Sequence, residues 1–382
     1  MTTIRFARAC SLAGLFLLFA CSAKTSGSID TTGATETPSS DDGGTSSSAV
    51  DDDASGSSSS SGGSAQHGTS GDAASSASDA APSGEGGGLI TTDGAAQNDP
   101  DVDYAVAPVT LTMTQFQVAA GDEVYYCQNF ANPWGMGVDI KIYSLVMGAG
   151  SHHMFAFYQN GGSAALEPCP NGGLQSGPFT FVSQSRQKTV EFPQSVGATI
   201  PTGTGFQLMV HYLNATSSTI TTSVALTMYI AKPGVVTQHA GVLFLDNTEM
   251  TVAATCTGNG CPSSDSYTLT QDINILSTEG HMHKYGTNFV TTVSPTSVSP
   301  PSGQIYQSNI WDEPAPVDFS PPLAIPSGST ITWTCTDVNT TGELLTFGES
   351  AVTNVMCISQ SIIYPITNVD DPVLPSNALV GF

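Results

Sequence analysis

From residue 104 onward, the chain is a series of short runs rich in Val, Ile, Thr, Tyr and Phe, and Gly, Pro, Asn or Ser interrupts them about every ten residues. No segment shows the long apolar periodicity of an amphipathic helix. This pattern predicts an all-β fold of antiparallel sheets packed as sandwiches. The clearest strand candidates are Thr110–Val118, Val138–Val146, Met154–Tyr158, Phe206–Leu213, Ser223–Ile230, Asp272–Leu276, Thr287–Val293, Thr330–Cys335 and Cys357–Tyr364.

The β-rich part spans about 280 residues, which is too long for one simple sandwich. The run Lys232-Pro233-Gly234 is the best candidate for a break between two domains. We therefore predict one domain at residues 104–232, a second at 233–366 and a C-terminal tail at 367–382. No internal sequence repeat relates the two halves.

The first 21 residues have the layout of an export signal. Arg5 and Arg8 precede an apolar run, Leu12 to Ala20, that is too short to cross a bilayer comfortably. The run ends in Leu-Phe-Ala-Cys21, which resembles a bacterial lipobox, where the cysteine is lipidated and becomes the first mature residue. The alternative is an ordinary secretory signal cleaved near Ala23. We expect an exported bacterial lipoprotein, anchored to the outer membrane through Cys21 and facing the periplasm or the cell surface.

Residues 22–103 are mostly Ser, Gly, Ala, Thr and Asp. Such a segment cannot bury enough apolar surface to offset the entropy of ordering, so it predicts a disordered tether. Only Lys24 opposes its acidic residues, and much of the net charge of −24 belongs to this segment. The acidity argues against nucleic acid as a partner.

Six of the eight cysteines remain in the predicted domains, since Cys10 leaves with the signal and Cys21 carries the lipid. An even number in an exported chain predicts three disulfides, although six cysteines allow 15 pairings. Spacing favours three pairs: Cys127 with Cys169, Cys256 with Cys261, and Cys335 with Cys357.

Histidines carry the clearest chemical signal. Of the seven in the chain, His67 lies in the tether, and five of the rest fall in three short motifs. His152 and His153 are adjacent, so on a regular strand their rings would face opposite sides, and both can reach one ion only if the backbone turns there. Residues 148–150, Gly-Ala-Gly, are a plausible place for that turn. His211 shares one strand face with residues 207 and 209.

His281 and His283 are two residues apart, which places both rings on one face of a strand and predicts a metal site. Imidazole suits copper, zinc, iron and nickel, whereas a thioether would favour copper in its reduced state. Met356 beside Cys357 is a candidate for that thioether, although a lone Met is more often core filler. The chain has no phosphate-binding loop, no nucleophile elbow, no zinc-protease helix motif and no dinucleotide fingerprint.

The order of several segments resembles the copper- and ascorbate-dependent monooxygenases, the family that includes peptidylglycine alpha-hydroxylating monooxygenase and dopamine beta-monooxygenase. The similarity runs from about Val109 to Tyr364. The segments that carry it are Val109-Thr-Leu-Thr-Met113, Tyr126-Cys-Gln-Asn-Phe130, Gly150-Ser-His-His-Met154, Val210-His-Tyr-Leu-Asn214, His281-Met-His283 and Met356-Cys357. The resemblance also matches two of the disulfide pairs, Cys127 with Cys169 and Cys335 with Cys357.

The resemblance implies two tandem jelly-roll-like sandwiches, each with one copper, facing each other across an open cleft. It implies that the electron-transfer copper is bound by His152, His153 and His211. It also implies that His281, His283 and Met356 are the catalytic residues, which bind the copper that activates dioxygen. The cofactors would be two copper ions per chain, with ascorbate as the electron donor.

The implied reaction hydroxylates a C–H bond of an unknown small substrate with O2. Glu279 stands where the peptide-amidating members have a carboxylate-binding Arg, which argues against a peptide-glycine substrate and suits a cationic one. A second substrate contact would fall near Gln360. Two alternatives stay open: a non-catalytic copper-binding surface lipoprotein for storage, sensing or acquisition, and a zinc hydrolase that uses three histidines.

Overall fold

The computed structural model describes residues 99–170, 177–295 and 303–366, together with the backbone of 378–381. Within these residues the chain forms 24 β-strands and no α-helix. No helix in this part of the chain is long and apolar enough to cross a membrane. The predicted signal at 1–21 with its lipidated Cys21, and the predicted tether as far as residue 98, lie outside the described residues.

Two main sheets and a two-stranded sheet form the first half of the fold. Its strands are β1 (Val109–Thr112), β2 (Phe116–Val118), β3 (Glu123–Phe130), β4 (Val138–Met147), β5 (Ser151–Gln159), β6 (Glu167–Pro168), β7 (Phe179–Ser183), β8 (Gln187–Glu191), β9 (Val196–Ile200), β10 (Gly205–Leu213), β11 (Ile220–Thr222), β12 (Val224–Ile230) and β13 (Gln238–His239). One main sheet has the order β1-β12-β4-β9-β13, with β8 also paired to β4, and the other has the order β6-β3-β10-β5-β7. The two-stranded sheet consists of β2 and β11.

Two further sheets form the second half. Its strands are β14 (Gly241–Asp246), β15 (Thr251–Val252), β16 (Cys261–Thr268), β17 (Ile273–Met282), β18 (Gly286–Ser294), β19 (Gln304–Ser308), β20 (Val317–Ile325), β21 (Thr330–Asp337), β22 (Leu345–Thr346), β23 (Cys357–Tyr364) and β24 (Ala378–Gly381). One sheet has the order β20-β17-β23-β14-β24, and the other has the order β16-β21-β18-β19.

Each half is a jelly roll of eight principal strands. The principal strands one to eight are β1, β3, β4, β5, β7, β8 with β9, β10 and β12 in the first half, and β14, β16, β17, β18, β19, β20, β21 and β23 in the second. The first sheet of each half contains principal strands one, eight, three and six in that order. The second sheet of each half contains strands two, seven, four and five. The predicted all-β fold of two tandem jelly-roll-like sandwiches is therefore confirmed by the strand order itself.

The same loop contact occurs within each half, just after its seventh principal strand. The side-chain amides of Asn214 and Asn339 each donate to three backbone carbonyls, at 2.9–3.0 Å and 2.7–3.2 Å. Each Asn oxygen accepts hydrogen bonds from the backbone and hydroxyl of a Thr two residues later, Thr216 or Thr341. This common contact relates the two halves although no sequence repeat does.

Eight of the nine predicted strands are present, whereas Thr110–Val118 is divided into β1 and β2, which belong to different sheets. The edges of the halves also differ from the predicted ones. Strand β13 pairs with β9, so the chain leaves the first half after His239 and not at Lys232. At the other end, the buried Lys141 ammonium lies 3.5 Å from Asp99 and 3.6 Å from Asp101, which brings the last residues of the predicted tether into the fold. Strand β24, in the predicted tail, pairs with β14.

All three predicted disulfides are confirmed. Cys127 is bonded to Cys169, Cys256 to Cys261 and Cys335 to Cys357. The third bond links β21 in one sheet of the second half to the start of β23 in the other.

The halves pack through one sheet each. The sheet of the first half that contains β5, β7 and β10 faces the sheet of the second half that contains β14 and β23, and a shared apolar core lies between them. Phe244 of β14 contacts Phe155 and Phe179 of the first half, with ring centroids 5.7 and 5.6 Å apart. Beside this core, Lys188 forms an ion pair with Asp318 across the halves at 2.7 Å.

Asp337 gives a prediction about stability. It is fully buried at the end of β21, neither carboxylate oxygen has a hydrogen-bond partner, and burial raises the pKa of the carboxyl from 3.8 to about 7. Because the pKa of Asp337 is higher in the folded state, its contribution to the free energy of unfolding falls as the pH rises from about 4 to about 7. We expect Asp337→Asn to raise stability at pH 8 by about 1–3 kcal/mol and to flatten this dependence.

Thermal unfolding at pH 4 and pH 8 measures the effect. The matched control is Asp122→Asn, at an exposed position, which should leave the pH dependence of the melting temperature unchanged. An Asp337→Asn variant whose stability differs from that of the wild type by the same amount at both pH values would contradict the assignment.

Candidate metal centre

Five imidazoles converge at the edge of the shared core, and all are buried. They are those of His152, His153, His211, His281 and His283. The rings of the two halves touch, since the His152 and His281 centroids are 4.8 Å apart and those of His153 and His281 are 5.4 Å apart. The structure thus brings all five predicted histidine ligands into one cluster, where the resemblance implied two sets separated by an open cleft.

A β-bulge solves the problem of the adjacent histidines. His153 on β5 pairs with His211 on β10, but the next pair is Ser151 with Tyr212, so His152 has no opposite residue. An extra residue of this kind bends the strand and re-aims its side chain, which lets two neighbouring rings reach the same region. Just before the bulge, Gly150 has φ +83°, a conformation that favours glycine. The predicted turn therefore occurs, with the bulge at His152 itself.

His211 is held from three sides. Its Nε2 lies 2.8 Å from Glu123 Oε1, and because a carboxylate only accepts, this nitrogen carries the hydrogen. The ring stacks on Tyr125 with centroids 4.1 Å apart. The remaining nitrogen, Nδ1, is 3.2 Å from His153 Nε2, a distance that suits either a shared hydrogen or two ligand atoms of one ion.

Glu123 also connects the two halves. Its carboxylate accepts hydrogen bonds from the backbone of Ala351 at 2.6 Å and from the hydroxyl of Ser350 at 2.7 Å. The carbonyl of Ala351 in turn accepts from the backbone of Lys284, next to His283. One carboxylate of the first half thus orients His211 and fixes a loop of the second half beside His283.

The pair on the second half sits where β17 ends. His281 is paired with Ile358 of β23, and His283 follows one residue after the strand. Gln184 of the first half orients His281: its amide nitrogen donates to the Gly280 carbonyl at 2.8 Å, so its oxygen faces His281 Nδ1 at 2.7 Å. His281 Nδ1 therefore donates, and its Nε2 carries the lone pair.

Several imidazole nitrogens in the cluster are buried without a hydrogen-bond partner. They are His152 Nε2, His153 Nδ1 and His281 Nε2, while the ring of His283 lies beside the backbone carbonyls of Ser350 and Asn354 without a well-aligned hydrogen bond. Buried polar atoms are normally paired, and leaving one unpaired costs about 1–3 kcal/mol. Second-layer contacts that fix the tautomer, as Gln184 and Glu123 do here, are typical of histidines that bind metal. The residues present therefore fit a metal ion.

Burial also keeps the rings neutral. It lowers the pKa of His152 to about 4 and that of His283 to about 3, and it holds the pKa of the other three well below 6.5. The neighbouring imidazoles act in the same direction, because two positive charges so close together repel. Neutral imidazole is the form that binds a metal.

Met356, the predicted thioether ligand, lies beside two of these histidines. It is buried in the shared core and lines a cavity together with His153 and His281. The rest of that cavity is mainly apolar, with five phenylalanines: Phe155, Phe157, Phe179, Phe244 and Phe347. The structure thus brings the predicted thioether and one histidine of each predicted set to one apolar cavity.

The sequence analysis missed the residues that orient the rings. Glu123, Tyr125 and Gln184 belong to no motif, and their roles depend on contacts across strands and halves. The alternation of Glu123 and Tyr125 on one face of β3 is the only signal that could have pointed to them.

Glu279 is buried and accepts a hydrogen bond from the backbone of Gln184 at 3.3 Å, whereas Gln360 lines the cavity.

No protein-family model and no curated protein matches this sequence. Among solved structures, the crystal structure of the STIV MCP is 11% identical over 71% of this chain and 100% of that chain, with a TM-score of 0.33. The structure of infectious bursal disease virus Gx strain is 11% identical over 72% and 75%, with a TM-score of 0.18. Both TM-scores are below 0.5, so neither similarity indicates the function of this chain.

Gln184 provides a test of the second layer. Replacing it by Ala leaves the His281 Nδ1–H buried without an acceptor and frees the ring to turn, so we expect metal affinity to fall about 10–100-fold. Competition with a chelator measures the affinity. The matched control is Gln187→Ala, three residues on at an exposed position of β8. Equal affinities for both variants would show that Gln184 does not hold the ligand.

Proposed function

We propose that this chain is a copper-dependent monooxygenase that hydroxylates a C–H bond of a small, largely apolar substrate with O2 and a reductant such as ascorbate. The observation that carries the proposal is a cluster of five neutral, buried imidazoles beside an apolar cavity that is lined by His153, His281 and Met356. The similarity of the histidine and methionine motifs to the copper- and ascorbate-dependent monooxygenases supports the same reading.

The donor set favours copper over other metals. Imidazole alone suits several ions, but a thioether is a soft donor and selects reduced copper. Carboxylates, which would favour magnesium, calcium or manganese, contact the rings from the second layer, as Glu123 does. When bound, copper would supply the oxygen and electron-transfer chemistry.

The protein residues supply placement and exclusion of water. Gln184 and Glu123 hold the imidazoles of His281 and His211 in fixed tautomers, so the ligand atoms need no reorganisation. The phenylalanines that line the cavity keep the space beside His281 and Met356 apolar. A dry site protects a reactive oxidant from side reactions with water.

The cavity also limits the substrate. Its wall is mainly apolar, apart from the two histidines and the polar side chains of Gln184, Asp246, Glu349 and Gln360, and Asp246 Oδ1 has no hydrogen-bond partner. Burial raises the pKa of Asp246 and of Glu349, which also lines the cavity, to about 7. A substrate carboxylate would meet these two acids, so a peptide-glycine substrate fits poorly. Glu279 is bonded to Gln184 and is a weaker candidate for a substrate contact than Gln360.

A second candidate function is a non-catalytic copper-binding lipoprotein. The observation that favours it is that the rings of the two halves are in direct contact and almost fully buried, which suits retention of an ion. Turnover separates the two functions, because a binding protein consumes no oxygen.

The decisive experiment measures copper per chain and ascorbate-dependent oxygen uptake in the same preparation. Met356→Leu keeps the volume and removes the sulfur donor, so we expect uptake to fall by at least about 10-fold while the protein stays folded. The matched control is Met250→Leu, in the core of the second half, which should keep uptake within about 2-fold.

Two coppers without uptake, over a panel of small apolar substrates, would favour the binding protein. Activity in the absence of both oxygen and reductant would instead favour the zinc hydrolase. Fewer than two coppers per chain would contradict the predicted ligand sets.

A further inference from the structure

Three ligand atoms from the two halves lie unusually close together. One ring nitrogen each of His152, His281 and His283 fall within 4.8 Å of one another, and all three residues are buried. The resemblance assigns His152 to the first-half set with His153 and His211. The geometry groups it instead with the pair on the second half.

We propose that His152, His281 and His283 form one three-histidine site for a copper or zinc ion, and that the bound ion joins the two jelly rolls across their interface. Three imidazoles with no carboxylate among them suit these two metals. The inference deepens the proposed function, but it rests on that function only in taking copper as one of the probe ions.

The lone pairs of this group are free for an ion. His281 Nδ1 donates to Gln184, which leaves Nε2 as the acceptor. His152 Nδ1 faces the carbonyl of Asp312 at 3.5 Å, which also leaves its Nε2 as the acceptor. Both Nε2 atoms are buried without a partner, and the ring of His283 lies beside the backbone carbonyls of Ser350 and Asn354 without a well-aligned hydrogen bond, so one of its nitrogens can serve an ion. One ion would satisfy three buried lone pairs that the protein leaves unpaired.

The surroundings of His152 also belong to the second half. The ring of Trp311 lies 5.8 Å from its ring, and the carbonyl of Asp312 lies beside it. The next residue, Glu313, forms an ion pair with Arg186 of the first half at 2.8 Å. The bulge therefore directs His152 out of its own sheet and against a loop of the opposite jelly roll.

The other two histidines form a separate pair. His211 Nδ1 and His153 Nε2 are 3.2 Å apart, and Glu123 fixes the far nitrogen of His211. The ring centroid of His152 is as near to His211, at 4.9 Å, as it is to His281, at 4.8 Å. The distances between ligand nitrogens, and not those between ring centroids, decide the grouping.

A double-mutant cycle on ion affinity distinguishes the two groupings. The full chain is titrated with Cu²⁺ and, separately, with Zn²⁺ in competition with a chelator, so that each binding step is resolved. We expect His152→Gln and His281→Gln each to weaken the same step by at least about 10-fold, and the double variant to be within about 3-fold of the weaker single variant. His152 and His153 belong to different sites in this grouping. The loss of overall ion affinity in the double variant His152→Gln with His153→Gln should therefore equal the product of the two single losses.

The opposite pattern would overturn the proposal: multiplied losses for His152 with His281, and a shared loss for His152 with His153. His239→Gln, at a half-exposed histidine outside the cluster, should change neither step. Near-ultraviolet circular dichroism confirms that each variant is folded. Because Zn²⁺ is redox-inert, the result stands whether or not the protein consumes oxygen, so failure of this inference and failure of the monooxygenase proposal are distinguishable.

A structural readout tests the bridge independently of affinity. One equivalent of Zn²⁺ should slow amide hydrogen exchange in β7 and β14, strands that contact each other across the halves. The slowing should be lost in His152→Gln and kept in His239→Gln. Slowing confined to strands of one half would overturn the bridge.

Discussion

The apolar contact between one sheet of each jelly roll is the interaction on which the candidate site depends. Phe155 and Phe179 of the first half pack against Phe244 of the second, and Met209 and Met356 extend the same buried cluster. Contacts of this kind are non-directional and roughly proportional to the buried area, so they hold the halves together without fixing a precise angle. Hydrogen bonds between the two halves, at the edge of this apolar contact, fix the angle between them.

Glu123 and Gln184 are the two residues that combine these tasks. Each belongs to the first half, each orients a histidine, and each bonds to backbone of the second half. The placement of the halves and the tautomers of the rings are therefore set by the same atoms. A change in the interface would alter the orientation and tautomers of the imidazoles, because each fixed tautomer depends on its hydrogen-bond partner.

The two jelly rolls have the same strand order but use it differently. The first half contributes His153 and His211 from its fourth and seventh principal strands, in the sheet that faces its partner. The second half contributes His281 from its third strand and Met356 beside its eighth, in the opposite type of sheet. The Asn214 and Asn339 loops preserve the common framework, while the interface is built from non-equivalent faces.

Local pattern in the sequence determined the strands, the disulfide pairs and the candidate ligands. Alternation decides which face His211 occupies, a spacing of two puts His281 and His283 together, and pairs close in sequence, such as Cys256 with Cys261, form a disulfide readily. The tertiary structure alone decided that the two histidine sets meet, that a bulge re-aims His152, and that Glu123 and Gln184 act across the interface. These features depend on contacts between residues about 60 to 230 positions apart, and no local periodicity records which distant strand will lie opposite.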